Sequence, residues 1–177
     1  MLLESAILEE IDNGLILIQP FVRENLGPNS YDVRLSKHLA EYEDPILDCK
    51  KDNPARVFEI PEEGFTLLPG KFYLGTTVEY TETHPPLIPM FEGRSSVGRL
   101  GIAPHEAAGF GDSGFEGHWT LELSARQPVI IYPNMKIGQL AWHRGEGTCT
   151  PYSKKGNYCN SSDKPISSKL FSDGNWK

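Results

Sequence analysis

The sequence predicts an all-β fold, a sandwich or barrel rather than a series of βαβ units, and three observations point to it. Seventeen glycines and fourteen prolines punctuate the 177 residues. Between them lie short apolar segments of strand length, bounded by turn residues. Only two stretches carry a helical pattern, and both are short.

Taken in order, residues 4–13 (ESAILEEIDN) space their apolar side chains for one short amphipathic helix, and Gly14 ends it. LILIQPF at 15–21 and SYDVRLS at 30–36 read as strands, as does KFYLGTTVEY at 71–80 with its β-branched and aromatic residues. SSVGRLGI at 95–102 is the second helical candidate, a single turn with Ser95 as its cap. HWTLELS at 118–124, PVIIYP at 128–133 and IGQLAWHR at 137–144 supply three more strands. No repeat or low-complexity tract interrupts them. From about Gly145 the chain turns polar and rich in Gly, Ser and Lys. That composition fits either a disordered tail or a lid that orders over a ligand. The predicted division is a β domain over 1–150 and a flexible C-terminal lid or tail over 151–177.

Composition narrows the function. Apolar residues make up 38% and charged residues 23%, the balance of a globular chain. No apolar run is long enough for a membrane helix. The opening MLLESAILEEIDNG has acids where a signal peptide needs basic residues, which predicts a cytoplasmic protein. Cys49, Cys149 and Cys159 are odd in number and form no CxxC pair, arguing against a disulfide framework and a structural zinc site. Net charge is −7, which disfavours polymeric nucleic acid as a partner. A small anion remains possible, because a local cluster of arginine and backbone N–H groups can override the global sign.

The residues able to do chemistry crowd into 91–124, FEGRSSVGRLGIAPHEAAGFGDSGFEGHWTLELS. GRSS offers hydroxyls from Ser95 and Ser96, backbone N–H groups at a helix start, and a guanidinium from Arg94, all suited to phosphate. Strand alternation puts Trp119, Leu121 and Leu123 on one face and Thr120, Glu122 and Ser124 on the other. That second face is either solvated or the wall of a cleft; in a cleft, Glu122 is a candidate general base. Asp112 sits in a Gly-Asp-Ser-Gly turn, where local hydrogen bonding alone would explain it. His105 after Pro104 reads as a satisfied loop or core histidine. Zinc nucleobase deaminases need His-x-Glu and Pro-Cys-x-x-Cys, whereas here His105 and Glu106 are adjacent and the cysteine pair is missing. Any deamination must activate water without zinc.

These motifs resemble the dCTP deaminase family of the dUTPase superfamily. The matching runs are PNSYDVRL at 28–35, GRSSVGRLG at 93–101, HEAAGFGDSGFEGHWTLEL at 105–123, PNMKIGQL at 133–140 and a degraded tail element at 152–169. The resemblance implies a dUTPase-like distorted β-barrel of jelly-roll type with short helices. It implies a homotrimer with active sites between subunits, dCTP or dUTP as substrate, and Mg²⁺ bound with the triphosphate. It casts Glu122 as the base for water attacking C4 of cytosine, with Arg99 beside it and Ser95 helping to hold the water. Arg94 and Ser96 correspond to triphosphate contacts, joined by Tyr152, Lys154 and Lys155 of the tail. Asp112 matches the acid near the deoxyribose.

Ala107 stands where the family usually has Thr, Gly111 where it has Ile, and Ser161 near a tail Gln that contacts nucleotide. The form of these motifs looks closest to the bifunctional branch, which releases dUMP and pyrophosphate. A plain dUTPase is the alternative, although it leaves Arg99 and Glu122 without a role; a non-catalytic nucleotide-binding regulator on the same fold is the third reading.

Overall fold

The computed structural model describes residues 1–159 and 162–172. It opens with α1 (Glu4–Asp12), which ends where Gly14 takes a φ of 73°. Ten strands follow: β1 (Ile16–Gln19), β2 (Tyr31–Tyr42), β3 (Ala55–Glu59), β4 (Phe65–Leu67), β5 (Tyr73–Thr83), β6 (Leu87–Gly93), β7 (Ile102–Ala103), β8 (Glu116–Ala125), β9 (Val129–Ile131) and β10 (Lys136–Arg144). Between β6 and β7 lies the single turn α2 (Ser95–Gly98). Arg94, not Ser95, takes its cap position, and no side chain caps it.

Every pairing is antiparallel. The main sheet runs β6-β10-β2-β5-β8-β7, with β1 added on β5 and β3 on β2, while β4 and β9 form a separate pair. The result is the distorted, nearly closed barrel expected of an all-β chain that must hide its edges. The distortion lies in β2 and β5. β2 pairs with β10 through Tyr31–Arg34 and with β5 from Leu35 onward, and both ladders shift register. Where β5 and β8 slip between Thr76 and Tyr80, the Thr77 hydroxyl accepts the Trp119 N–H at 3.0 Å and fills the gap in the ladder.

The core is continuous and aromatic at its centre, with Tyr31, Tyr73, Phe91 and Trp142 almost wholly buried. A carboxylate lies inside it. Glu79 is fully buried and accepts from the backbone N–H of Arg34 at 2.8 Å and from its Nε at 2.7 Å. This pair ties β2 to β5 where both ladders are irregular. Glu79→Leu would strand the guanidinium and both donors; such a change typically costs about 3–5 kcal/mol, to be read by chemical denaturation. No helix among the described residues is long and apolar enough to cross a membrane.

Candidate active site

β8 positions the site through its alternation. Gly117, Trp119, Leu121, Leu123 and Ala125 are buried, whereas Glu116, His118, Thr120, Glu122 and Ser124 are only partly so. The sequence left two readings of that second face, and the structure selects the cleft. A cavity of about 370 Å³ opens beside it, lined by Thr120 and Trp119 of β8 and by Phe115, Tyr152, Tyr158 and Asp112. Its size suits a nucleoside-sized ligand, and its lining is aromatic with a few polar groups.

Glu122 stands at one end of this cleft, with its side chain 27% exposed. Oε2 accepts two backbone N–H bonds, from Glu106 at 3.1 Å and from Ala107 at 2.9 Å. Among the described residues, Oε1 has no hydrogen-bond partner. One carboxylate oxygen is therefore anchored and the other is left for chemistry. His105 departs from the sequence expectation of a satisfied histidine. Its ring packs edge-on against Phe91 at 5.3 Å, but its buried Nδ1 has no hydrogen-bond partner and lies 3.6 Å from Glu122 Oε2.

Asp112 is exposed and lines both this cleft and a second cavity of about 420 Å³, which Lys155 also lines. Its turn closes with the Phe115 N–H donating to the Asp112 carbonyl at 3.1 Å and Gly114 at a φ of 88°. Tyr152 borders both cavities as well. Burial, and to a lesser degree the charge of Asp112, pushes its phenol above the ordinary value, so it is a neutral donor at physiological pH. Lys154 is exposed and lines neither cavity.

The tail lies against the barrel. The Tyr152 and Ser153 N–H groups donate to the Ser113 and Gly114 carbonyls at 2.9 and 3.0 Å. Further on, Ile166 N–H donates to Thr120 Oγ1 at 3.3 Å and Ser168 N–H to the Tyr42 hydroxyl at 3.1 Å, so Ile166–Ser168 form a wall of the cleft. Ser161 lies outside the described residues.

The GRSS residues are elsewhere. Arg94 Nε sits 2.9 Å from Asp32 Oδ1, and Lys136 Nζ is 3.2 Å from Oδ2 of the same carboxylate. Ser95, Ser96 and Arg99 are exposed, and none of the four lines the Glu122 cleft. Within one chain, of the sequence-predicted residues, Glu122, Asp112 and Tyr152 line one cleft, Lys155 lines the adjoining cavity, Lys154 lines neither, and Arg94, Ser95, Ser96 and Arg99 lie apart from them. Sequence reasoning gave no role to Tyr42, Thr120, Tyr158 or the Asp32–Lys136 pair, whose places depend on long-range packing. No group of three or more His, Cys, Asp and Glu side chains among the described residues is placed to hold a metal ion.

A family model described as dCTP deaminase-like matches residues 1–145. The chain belongs to the dCTP deaminase-like family. A relative from Hathewaya histolytica named "dCTP deaminase, dUMP-forming" is 50% identical over 168 residues, covering 93% of this chain and 96% of its own length. One of the same name from Leptospira biflexa is 50% identical over 143 residues, 81% of each chain. Among solved structures, 2′-deoxycytidine 5′-triphosphate deaminase from Agrobacterium tumefaciens matches with a TM-score of 0.64 at 18% identity, covering 81% of this chain and 48% of that one. This chain therefore spans about half the length of that molecule. The native EIAV dUTPase matches with a TM-score of 0.50 at 12% identity, covering 79% of this chain and 98% of that one. Both structural likenesses concern the fold.

The structure accounts for one departure from the usual pattern of the dCTP deaminase-like family. A Cβ on Gly111 would lie 2.5 Å from Trp119 Cη2 and 2.9 Å from both Cγ and the carbonyl oxygen of Pro89. The Trp119 ring occupies the space that a side chain at 111 would need, and its Nε1–H is fixed on Thr81 Oγ1 at 3.0 Å. Gly111→Ile is therefore expected to destabilise by about 1–3 kcal/mol through overpacking. Thermal unfolding reads that loss, and a raised KM reads displacement of the loop that borders the cleft. Nothing in the structure explains Ala107, whose side chain is exposed.

Proposed function

We propose that this protein is a zinc-independent dCTP deaminase that carries its product on to dUMP. The observation that supports this best is the carboxylate of Glu122, anchored through Oε2 and open at Oε1, on the wall of a nucleoside-sized aromatic cleft. The names of the relatives agree with it. Glu122 takes a proton from water as hydroxide adds to C4 of the cytosine ring, with Ser95 and Arg99 helping to hold and polarise the reacting groups. The tetrahedral carbon then expels the amino group, which leaves as ammonia with the proton Glu122 had taken. Net, dCTP and water give dUTP and ammonia. A second water then cleaves dUTP to dUMP and pyrophosphate, with Asp112 engaging the deoxyribose and orienting that water. Arg94, Ser96, Tyr152, Lys154 and Lys155 bind the triphosphate, and residues 151–177 act as the lid.

A dUTPase without deaminase activity would leave Glu122 unused. Incubation with dCTP or dUTP, following ammonia, dUTP, dUMP and pyrophosphate, separates the readings. Ammonia from dCTP together with dUMP is the expected result, and dUTP cleavage without ammonia would overturn it. Mg²⁺ enters as part of the substrate, on the phosphate oxygens, as a hard cation that keeps several waters does. Removing Mg²⁺ is expected to stop turnover, whereas a zinc-selective chelator should leave the rate unchanged. The three unpaired cysteines fit a cytosolic setting.

The separation of the GRSS residues from the Glu122 cleft supports a homotrimer whose sites combine two chains. Exposed Leu100, Phe110, Ile130 and Tyr132 offer apolar surface for such contacts. Mixing Arg94→Ala and Glu122→Gln subunits should then restore about a quarter of the sites by random assembly in a cyclic oligomer. No recovery on mixing, or a monomeric mass by light scattering, would rule the shared site out.

A further inference from the structure

We infer that Glu106 and Ser124 form a latch that positions Glu122, and that both are positioning residues for the deamination. The inference rests on the reading of Glu122 as the general base. Glu122 and Ser124 lie two residues apart on the same face of β8, and the turn at 105–107 crosses above them. From this turn the N–H groups of Glu106 and Ala107 hold Glu122 Oε2. The Glu106 side chain returns to the strand, where its Oε1 accepts the hydroxyl of Ser124.

What makes the Ser124 bond consequential is how little else holds the turn. Ala103 is still paired with Ser124 in the β7–β8 ladder, and the next backbone bond beyond it is the Gly109 carbonyl accepting from Phe91 N–H at 2.7 Å. Between these anchors, among the described residues, the hydrogen bonds of residues 104–108 go only to Glu122 and Ser124. Without Ser124 the hydrogen bonds of the turn would go to Glu122 alone, leaving buried Pro104 and the His105–Phe91 ring contact as its other ties. The carboxylate would then be holding the turn as much as being held by it. His105 adds a competitor, since its unpartnered Nδ1 lies 3.6 Å from Oε2. A turn free to slide would let that nitrogen close on the carboxylate and displace it. Glu106 and Ser124 touch neither the cleft nor the reacting atoms, so their effect passes through Glu122. An error of about 1 Å in a reacting group can cost about a hundredfold in rate, the scale that such a latch controls.

The test is steady-state ammonia release from dCTP by the wild type and by Ser124→Ala, Glu106→Ala, Glu106→Gln and Glu122→Gln, each checked for folding by thermal melt. Glu106 is exposed and Ser124 only partly buried, so the melts should change little. Ser124→Ala and Glu106→Ala are expected to lower kcat about ten- to a hundredfold with KM nearly constant. Glu106→Gln keeps an acceptor oxygen for Ser124 and should recover most of the lost kcat. Wild-type kcat in Ser124→Ala and Glu106→Ala would overturn the latch, as would a Glu106→Gln variant as slow as Glu106→Ala, because charge rather than the bond would then be what matters. Loss expressed in KM instead of kcat would overturn it too. Glu122→Gln separates the two ideas: if it turns over normally, the base reading itself falls, whereas an inactive Glu122→Gln beside fully active latch variants removes only the latch.

Discussion

Glu122→Gln is expected to lower dCTP deamination by about 10²- to 10⁴-fold, the usual loss when a positioned general base is removed. The change is nearly isosteric. The amide oxygen of Gln can still accept the N–H groups of Glu106 and Ala107 that now meet Oε2, so the turn and the cleft should keep their shape. What disappears is the group that takes a proton from water and returns it to the departing amine. The amide NH₂ would face the cleft instead, a donor where the chemistry needs an acceptor. Nucleotide affinity, read by titration with dCTP, should therefore stay within about threefold while ammonia release collapses, the signature of an interaction made only in the transition state. Near-normal turnover in this variant would remove the mechanism. A parallel loss of binding would assign Glu122 to substrate recognition instead.

How much of this could be read before the structure depends on how local each signal is. β5, β8 and β10 were legible because apolar and polar residues alternate or run together over strand length; the segments at 118–124 and 137–144 lie within their strands, and the one at 71–80 starts two residues before β5. β6 was hidden by Pro89, which argues against a central strand. It proves to be the last strand in the main sheet's order, where a missing donor does little harm. β3 escaped because its residues are mostly exposed and so show little apolar pattern, and β4 because it is only three residues long. At the site, the alternation of β8 identified Glu122 and its face, but the meaning of that face came from afar. The turn at 105–107, the loop at Phe110–Asp112 and the tail at Ile166–Ser168 together convert a half-exposed strand into the wall of a cleft. No local pattern encodes those meetings. The same holds for Arg94, where GRSS was visible at once but its ion pair with Asp32 was not.

Truncation after Thr150 is expected to produce the other large loss, raising KM and lowering kcat together. The cut removes Tyr152, a wall of the cleft, and Lys155, which borders the adjoining cavity with Asp112. It also removes Ile166–Ser168, whose backbone N–H groups are received by Thr120 and Tyr42. A lid excludes water and completes the constellation around a reacting group, so opening it weakens binding and chemistry at once. The combined loss in kcat/KM should reach about tenfold to a hundredfold, the range in which missing positioning contacts register. Stability should respond far less. Among the described tail residues only Pro165 is buried, and the bonds that tie the tail down lie near the surface. Removing it should lower the melting temperature by only a few degrees, about 1 kcal/mol in a chain of this size. The two readouts decide between the readings of the tail. Full activity after truncation would mean that residues 151–177 are only a tail. Collapse of the melting temperature would make them part of the folded core. A stable but slow enzyme is the result that a lid predicts.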